Sequence, residues 1–392
     1  METPVNLSDA IFDSIRPQFL PLARYLTQDG WLPPAAGNRM EVFTTGREMF
    51  SHLEEDLRNA RSYIDIEFYR FASDTISQEV FDILRKKAAE GVVVRIILED
   101  RAYPKGRSFY REMGKVEGIY TTYVQPWADL WGKVSHMMSL DHRKLVIIDG
   151  EVGYAGGMNI QDRYHTEWRD THARVTGPVL EHFAALFQSG WEMYHGADIP
   201  RPAKHVPDRQ GNAIVQLVGD GPDSKEDILQ QGLEKALASA RHYFYIQNPY
   251  FCPPESVVQA LIDAAARGVD VQLMFPKTQD VIFMLWMNHS FYERLLKGGV
   301  KVLERRTNFM HSKTFVCDDY LSCIGSANID YRSYDLNFES NLFIYDEEMA
   351  LRNKEIYMQD KAICNEITLE DVRWPVWESY IQRIFLMTQR LM

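Results

Sequence analysis

One stretch of this chain is written twice. HRKLVIID spans 142–149 and runs on through GGMN to Asn159; HSKTFVCD spans 311–318 and runs on through GSAN to Asn328. The offset is 169 residues at every shared position: His142 to His311, Lys144 to Lys313, Asp149 to Asp318, Gly156 to Gly325 and Asn159 to Asn328. It also carries Asp170 onto Glu339, so a carboxylate follows each histidine by 28 residues. A single His-x-Lys motif is weak evidence, since short patterns recur by chance. Two copies in phase, with the same glycine and asparagine downstream, call for two like folding units that share one active site.

A second repeat lies outside the first. SYIDIEFYRF (62–71) has strand composition, and Ile76, Val80, Ile83, Leu84 and Ala88 then share one helical face ending at Gly91. VVVRIILED follows as a continuous apolar run, the mark of a strand covered on both faces. The second half answers with HYFYIQNPYF, a helix carrying Val257, Val258, Leu261, Ile262 and Ala265 up to Gly268, and VDVQLMFP. These offsets are 177 to 180, so the duplication is independent of the His-Lys motifs. KLVIID with EVGYAG, and KTFVCD with LSCIG, read as strand pairs around Gly150 and Asp318-Asp319. THARVTG and SNLFIYD add a strand each, followed by helices from Pro178 to about Tyr194 and from Glu347 to about Cys364. The prolines of ADIPRPAKHVPDRQGN place a boundary near residue 200, and a last helix is expected from Pro375.

The expected fold is therefore α/β: two duplicated halves, each a mixed sheet flanked by helices, packed about a pseudo-twofold axis. Residues 1–40 form an N-terminal segment, 41–200 the first half and 201–392 the second. In the first segment Ile11, Phe12, Ile15, Phe19, Leu20, Leu22 and Leu26 offer an apolar face to the body of the protein or to a membrane.

Two histidines, two lysines and two asparagines at one cleft suit phosphodiester chemistry. A neutral imidazole attacks phosphorus near pH 7, and an imidazolium protonates the leaving oxygen. Lys144, Lys313, Asn159 and Asn328 would hold the phosphate, whose transition state spreads charge over the non-bridging oxygens. Asp170 and Glu339 would each orient Nδ1–H of its own histidine, leaving Nε2 for the phosphorus. Asp149 and Asp318 belong to the motif and count among the candidate catalytic residues, although their place at a strand end also fits a backbone cap. Gly156, Gly157 and Gly325 would permit close backbone approach, and Arg332 and Ser333 would help hold the second motif. No metal or cofactor is called for.

A chain of 392 residues exceeds one ordinary core, and a net charge of -12 argues against a nonspecific nucleic-acid binder. Cys252, Cys317, Cys323 and Cys364 have no metal-ligand spacing and suit a reducing compartment. No signal peptide is visible and no apolar run reaches transmembrane length.

The paired motifs resemble those of the phospholipase D superfamily. From about residue 36 onward the chain is similar to bacterial cardiolipin synthases, in GVVVRIILED, HRKLVIIDGEVGYAGGMNI, WRDTHARVTGP, NPYFCPP, FMHSKTF and GSANIDYRSYDLNFESNL. The resemblance implies a phospholipase D-like fold and the joining of two phosphatidylglycerols into cardiolipin, with release of glycerol. It further implies a metal-free phosphatidyl-histidine intermediate on His142, with His311 as general acid and then base. Expected partners are phosphatidylglycerol, phosphatidylethanolamine as another acceptor, and the cytoplasmic face of a membrane; no nucleic acid is expected. Tyr120, Tyr123, Trp127, Trp131, Met137 and Met138 before the first histidine, and Phe283, Met284, Leu285, Trp286 and Met287 before the second, are candidates for apolar lipid contact at the cleft mouth. Arg101, Lys105, Arg107, Arg111 and Lys115 are candidates for anionic headgroups. The competing readings are a phospholipid hydrolase with the same residues, a nuclease, and an inactive membrane scaffold.

Overall fold

The computed structural model describes residues 7–28, 31–101, 103–124, 139–199, 207–224 and 226–372. Two short helices, α1 (Leu7–Phe12) and α2 (Leu20–Tyr25), precede the sheet. The first half then runs β1 (Ala35–Thr45), α3 (Gly46–Asn59), β2 (Tyr63–Phe68), α4 (Thr75–Ala89), β3 (Val93–Leu98), α5 (Arg107–Met113), β4 (Ile119–Tyr123), β5 (Lys144–Ile148), β6 (Val152–Gly156), α6 (Asp162–Thr166), β7 (Arg169–Thr176) and α7 (Leu180–Met193). The second begins with β8 (Ala213–Asp220), α8 (Ile228–Ser239), β9 (Tyr243–Gln247), β10 (Phe251–Cys252), α9 (Glu255–Ala266), β11 (Asp270–Pro276), α10 (Ile282–Lys297) and β12 (Lys301–Arg305). It closes with β13 (Thr314–Cys317), β14 (Leu321–Gly325), β15 (Ile329–Asp330), α11 (Tyr331–Asp335), β16 (Glu339–Tyr345), α12 (Glu347–Lys361) and β17 (Cys364–Ile367).

Fifteen strands form one sheet, in the order β17-β12-β11-β9-β13-β14-β16-β8-β1-β7-β6-β5-β2-β3-β4. Setting β17 aside, the order is the same read inward from either edge. β4, β3 and β2 are parallel, as are β12, β11 and β9, and antiparallel strands lead from each group to the centre. There β1 meets β8 antiparallel, with Ala35 opposite Val215 and Ala36 opposite Ile214. The duplication visible in the sequence is thus a duplication of sheet order.

β1 begins at Ala35, ahead of the expected boundary at 41, because Gly37 at φ +95° makes a bulge where the sequence pattern reads as a break. α4 and α9 end alike: Gly91 and Gly268 take φ near +90° in open space, so the backbone conformation alone demands glycine. The apolar run of β3 is buried, as expected for a strand covered on both faces.

Each half has its own apolar core, and a third lies between them. Leu145, Ala173, Val175, Phe183 and Phe187 from the first half share that third core with Val215, Leu217, Ile324, Leu342 and Ile344 from the second. Here β6 and β7 pack against β14 and β16, so the sheet folds back across its own centre. That fold brings the starts of β5 and β13 together. Phe19, Leu22, Ala23 and Leu26 of the N-terminal segment are wholly buried on the second-half core. The helix expected from Pro375 lies outside the described residues.

Candidate active site

Alternation along a strand puts residues i and i+2 on one face. His142 and Lys144 enter β5 in that way, and His311 and Lys313 lie just ahead of β13. All four are buried, with exposures of 8%, 0%, 5% and 4% respectively. Each lysine turns back on its own motif: Lys144 Nζ donates to the His142 carbonyl and Lys313 Nζ to that of His311. Lys313 Nζ also stands 2.9 and 3.0 Å from the two ring nitrogens of His311.

The carboxylates are exchanged between halves, which corrects the pairing expected from the sequence. His142 Nδ1 lies 2.9 Å from both carboxylate oxygens of Glu339. His311 Nδ1 lies 2.8 Å from Asp170 Oδ2. Backbone bonds explain the exchange. The His142 N–H donates to the Phe338 carbonyl at 2.8 Å, and the His311 N–H donates to the Arg169 carbonyl at 2.7 Å. Each histidine is therefore docked on the residue just before the other half's carboxylate. Neither half holds a complete dyad alone.

Within this frame the surroundings diverge. Ser326 Oγ donates to Glu339 at 2.5 Å and Ser333 Oγ donates to it at 2.9 Å. The equivalent positions in the first half are Gly157 and Tyr164. A Cβ on Gly157 would stand 2.2 Å from Asp170 Oδ1, so this position has no room for a side chain. Asp170 accepts the Thr171 N–H at 2.7 Å instead. Around His142 stands Tyr69, edge-on with ring centroids 4.7 Å apart. Around His311 stand Tyr164, Trp168, Tyr250 and Phe309, with centroids 5.3 to 5.9 Å away.

The asparagines differ too. Asn159 accepts the Arg70 N–H at 3.1 Å and donates to the Tyr164 hydroxyl at 2.9 Å. Asn328 Oδ1 is buried with no hydrogen-bond partner among the described residues. Both asparagines line the cavity.

Asp149 and Asp318 are not brought to the histidines. They end β5 and β13, with φ of 55° and 50°. Asp149 accepts the backbone N–H groups of Arg61, Ser62 and Tyr63 at 2.7 to 3.0 Å. Asp318 accepts those of Arg241, His242 and Tyr243 at 2.7 to 2.9 Å. Their carboxylates fasten the loops ahead of β2 and β9. Of the two readings the sequence allows for these aspartates, this geometry fits the backbone cap.

A cavity of about 270 Å³ opens over both imidazoles. Besides His142, His311, Asn159, Asn328 and Arg332, its lining includes residues that the sequence reading passed over: Tyr69, Arg70, Tyr164, Trp168, Tyr250, Asp280 and Asp330. Several were legible as neighbours of the quoted motifs, in FYRF, WRD and NPYF. Val281, Phe283 and Met284 also line it, and the adjoining Ile282 is 60% exposed. Other candidates for lipid contact stand elsewhere. Met287 is wholly buried in the second-half core, and Tyr120 and Tyr123 pack half-buried along the edge strand β4. Arg101 pairs with Glu99 at 2.9 Å and Arg107 with Asp100 at 3.2 Å. Trp127, Trp131, Met137 and Met138 lie outside the described residues.

Burial drives both imidazoles well below the usual histidine range, and the two lysines add to the effect. Burial also brings Lys144 down to about 7 and Lys313 to about 8. It pushes Glu339 up to about 8 and moves Asp170 upward. The two lysine charges are held at a cost that a bound anion between them would offset. The arrangement provides a neutral nitrogen nucleophile, a second nitrogen to carry a proton, and cationic and amide donors for a tetrahedral anion.

Residues 53–191 and 233–360 match the family model described as "Cardiolipin synthase, PLD-like domain". The cardiolipin synthase of Staphylococcus aureus strain Mu50 is 35% identical over 360 residues, which are 88% of this chain and 70% of the relative. Cardiolipin synthase 2 of Staphylococcus epidermidis strain RP62A is 34% identical over 363 residues, 89% of this chain and 72% of the relative. Among solved structures, the phosphatidylserine synthase of Haemophilus influenzae superposes with a TM-score of 0.71 at 14% identity. That superposition covers 95% of this chain and all of the other, and it shows the shared fold.

Proposed function

The chain belongs to the phospholipase D-like family of cardiolipin synthases, and from that premise we propose that it is a phosphatidyltransferase making cardiolipin from two phosphatidylglycerols. The observation that supports this most is the pair of crossed dyads facing one cavity. His142 Nε2, with Nδ1–H held by Glu339, attacks the donor phosphorus. The new P–N bond forms as the P–O bond to glycerol breaks, and His311 gives its proton to the departing oxygen. A hydroxyl of a second phosphatidylglycerol then loses its proton to His311 and attacks the same phosphorus, breaking the P–N bond. Lys144, Lys313, Asn159 and Asn328 hold the non-bridging oxygens, Asn328 through its amide nitrogen. Charge on the phosphodiester raises the affinity of His311 for its proton at the moment that proton is needed.

Both carboxylates fix a tautomer, but Glu339 is itself held by two hydroxyls and Asp170 by one backbone N–H, and that firmer support favours His142 as nucleophile. The aromatic ring around His311 favours the opposite role, shielding a site where alcohols exchange while water is disfavoured. No described helix is long and apolar enough to cross a membrane. The protein would work at the cytoplasmic face of one, with Val281, Ile282, Phe283 and Met284 meeting lipid as substrate enters.

Mass spectrometry of lipids after incubation with phosphatidylglycerol vesicles in EDTA tests the proposal. Cardiolipin plus free glycerol, absent in His142→Ala and His311→Ala, is the expected result. Phosphatidic acid alone would make the protein a hydrolase. No lipid turnover, with phosphatidylethanolamine added as well, would overturn both readings.

A further inference from the structure

Two parallel bridges align the halves next to the site: Phe71 pairs with Ile160, and Phe251 pairs with Ile329. Phe71 thus corresponds to Phe251, and the residue before each, Arg70 or Tyr250, occupies the same place in its half. One is a guanidinium and the other a phenol. The Tyr250 hydroxyl donates to Asp280 Oδ1 at 2.5 Å, its ring centroid stands 5.9 Å from that of His311, and both residues line the cavity.

A carboxylate beside a phosphate subsite repels the phosphate itself, so it needs donors on another part of the ligand. After Tyr250 has donated its proton, the pair still offers two acceptors, Asp280 Oδ2 and the phenolic oxygen. The candidate donors are an ammonium or the hydroxyls of a polyol. Arg70 and Arg332 line the same cavity with Asp330 as its second carboxylate, and Lys144 and Lys313 bind the backbone of the two histidines against the carboxylates Glu339 and Asp170. Beyond the Tyr250–Asp280 pair these charges offset one another, so a neutral diol, which needs only acceptors, is bound without adding a fifth cation beside the phosphate-holding groups. The pair also flanks His311, where under the proposed mechanism the leaving alcohol takes up a proton and the incoming one gives it up.

We propose that Tyr250 and Asp280 form the headgroup subsite, binding the free hydroxyls of a glycerol headgroup. The leaving glycerol and the glycerol of the acceptor lipid share the secondary hydroxyl next to the reacting oxygen, so one subsite serves both half-reactions. This inference rests on the phosphatidyltransferase reading for its substrate class, and its test can be separated from that reading.

The test compares phosphatidylglycerol with phosphatidylpropanol, which keeps the phosphodiester and lacks the free hydroxyls. Release of the headgroup alcohol is followed for the full chain and for Asp280→Ala, Asp280→Asn and Tyr250→Phe. The wild type is expected to favour phosphatidylglycerol in kcat/KM, and Asp280→Ala to lower that preference about tenfold or more, as for loss of a charged hydrogen-bond partner. Asp280→Asn, which keeps an acceptor oxygen, should fall between, and Tyr250→Phe should lower the preference less than Asp280→Ala. An unchanged ratio in Asp280→Ala overturns the subsite. So does a larger loss on phosphatidylethanolamine than on phosphatidylglycerol, which would mark an ammonium site. Glycerol release without cardiolipin overturns the synthase reading while the ratio still judges the subsite; release of neither alcohol overturns both.

Discussion

His142 and His311 occupy equivalent places in a duplicated sheet, yet they are held differently. Glu339 behind His142 receives two serine hydroxyls, and among the described residues that histidine meets one aromatic ring, Tyr69. Asp170 behind His311 receives a backbone N–H, and that histidine is ringed by Tyr164, Trp168, Tyr250 and Phe309. Duplication supplies two of each group; in-line displacement needs one to attack and one to shuttle a proton. Under the proposed mechanism, divergence around a shared frame would turn two copies of one motif into two roles. The side chains that differ, Ser326 against Gly157, Ser333 against Tyr164 and Tyr250 against Arg70, are those that set a tautomer or a local polarity.

The largest effect should come from removing either imidazole. His142→Ala and His311→Ala should each lower headgroup release on the order of 10⁶-fold, the scale seen when a nucleophile or its base is deleted. The comparison breaks or holds on leaving-group dependence. A phosphatidyl ester of p-nitrophenol departs without protonation, so it should restore the first step in His311→Ala and not in His142→Ala. Equal rescue of both variants would make the two histidines interchangeable.

Next come the orienting carboxylates. Glu339→Gln and Asp170→Asn keep shape and lose charge, and each should cost on the order of 10²- to 10⁴-fold in kcat, by analogy with tautomer loss in a serine-protease triad. Ser326→Ala should add to the contrast with a loss of about tenfold, since it removes one hydroxyl donor to a buried carboxylate. No comparable hydroxyl supports Asp170 among the described residues. If Ser326→Ala were silent, the rigid support of His142 would not distinguish the halves.

The pH profile separates free enzyme from complex. Both imidazoles lie below the ordinary histidine value because they are buried beside two lysines. A nucleophile with a lowered pKa is protonated only at lower pH, so the acid limb of kcat/KM should fall below about 6.5. A bound phosphodiester anion favours imidazolium, so the limbs of kcat should lie at higher pH than those of kcat/KM. Coincident profiles would mean that substrate charge does not reach the histidines. Lys144→Met removes a cation that lowers His142, so the acid limb should move upward.

Much of this was legible in the sequence, and the exceptions have physical causes. Offset and spacing announce two like halves, and the structure shows them as matching strand orders meeting at β1 and β8. The same symmetry hid the exchange of carboxylates: two copies at equal offset carry no mark of which histidine meets which acid. Only the fold of the sheet across its centre decides it, through the backbone bonds to Phe338 and Arg169. Arg70 and Tyr250 stand next to last in the aligned segments SYIDIEFYRF and HYFYIQNPYF, at an offset of 180, but that repeat reads only as strand and carries no mark that its last residues reach the cavity. Tyr120 and Tyr123 have the composition of an interfacial surface but sit on a strand, where alternation commits part of each ring to the core.

The smallest expected effect concerns the third member of each motif. Asp149 and Asp318 lie at the far ends of the strands that His142 and His311 begin or precede, and each binds three successive backbone N–H groups. Asparagine tolerates their left-handed backbone, so Asp149→Asn and Asp318→Asn isolate the loss of the carboxylate. Each should lower stability by about 1–3 kcal/mol, a shift of a few degrees in Tm, while kcat measured well below Tm changes little. Asp318 also accepts the side chain of Gln18 at 3.0 Å, which ties the N-terminal segment to the same loop. Its substitution should therefore cost somewhat more than that of Asp149. A hundredfold loss of kcat without a change in Tm would return these aspartates to the chemistry. It would also mean that the loops ahead of β2 and β9, which lead into Tyr69 and Tyr250, transmit their position to the cavity.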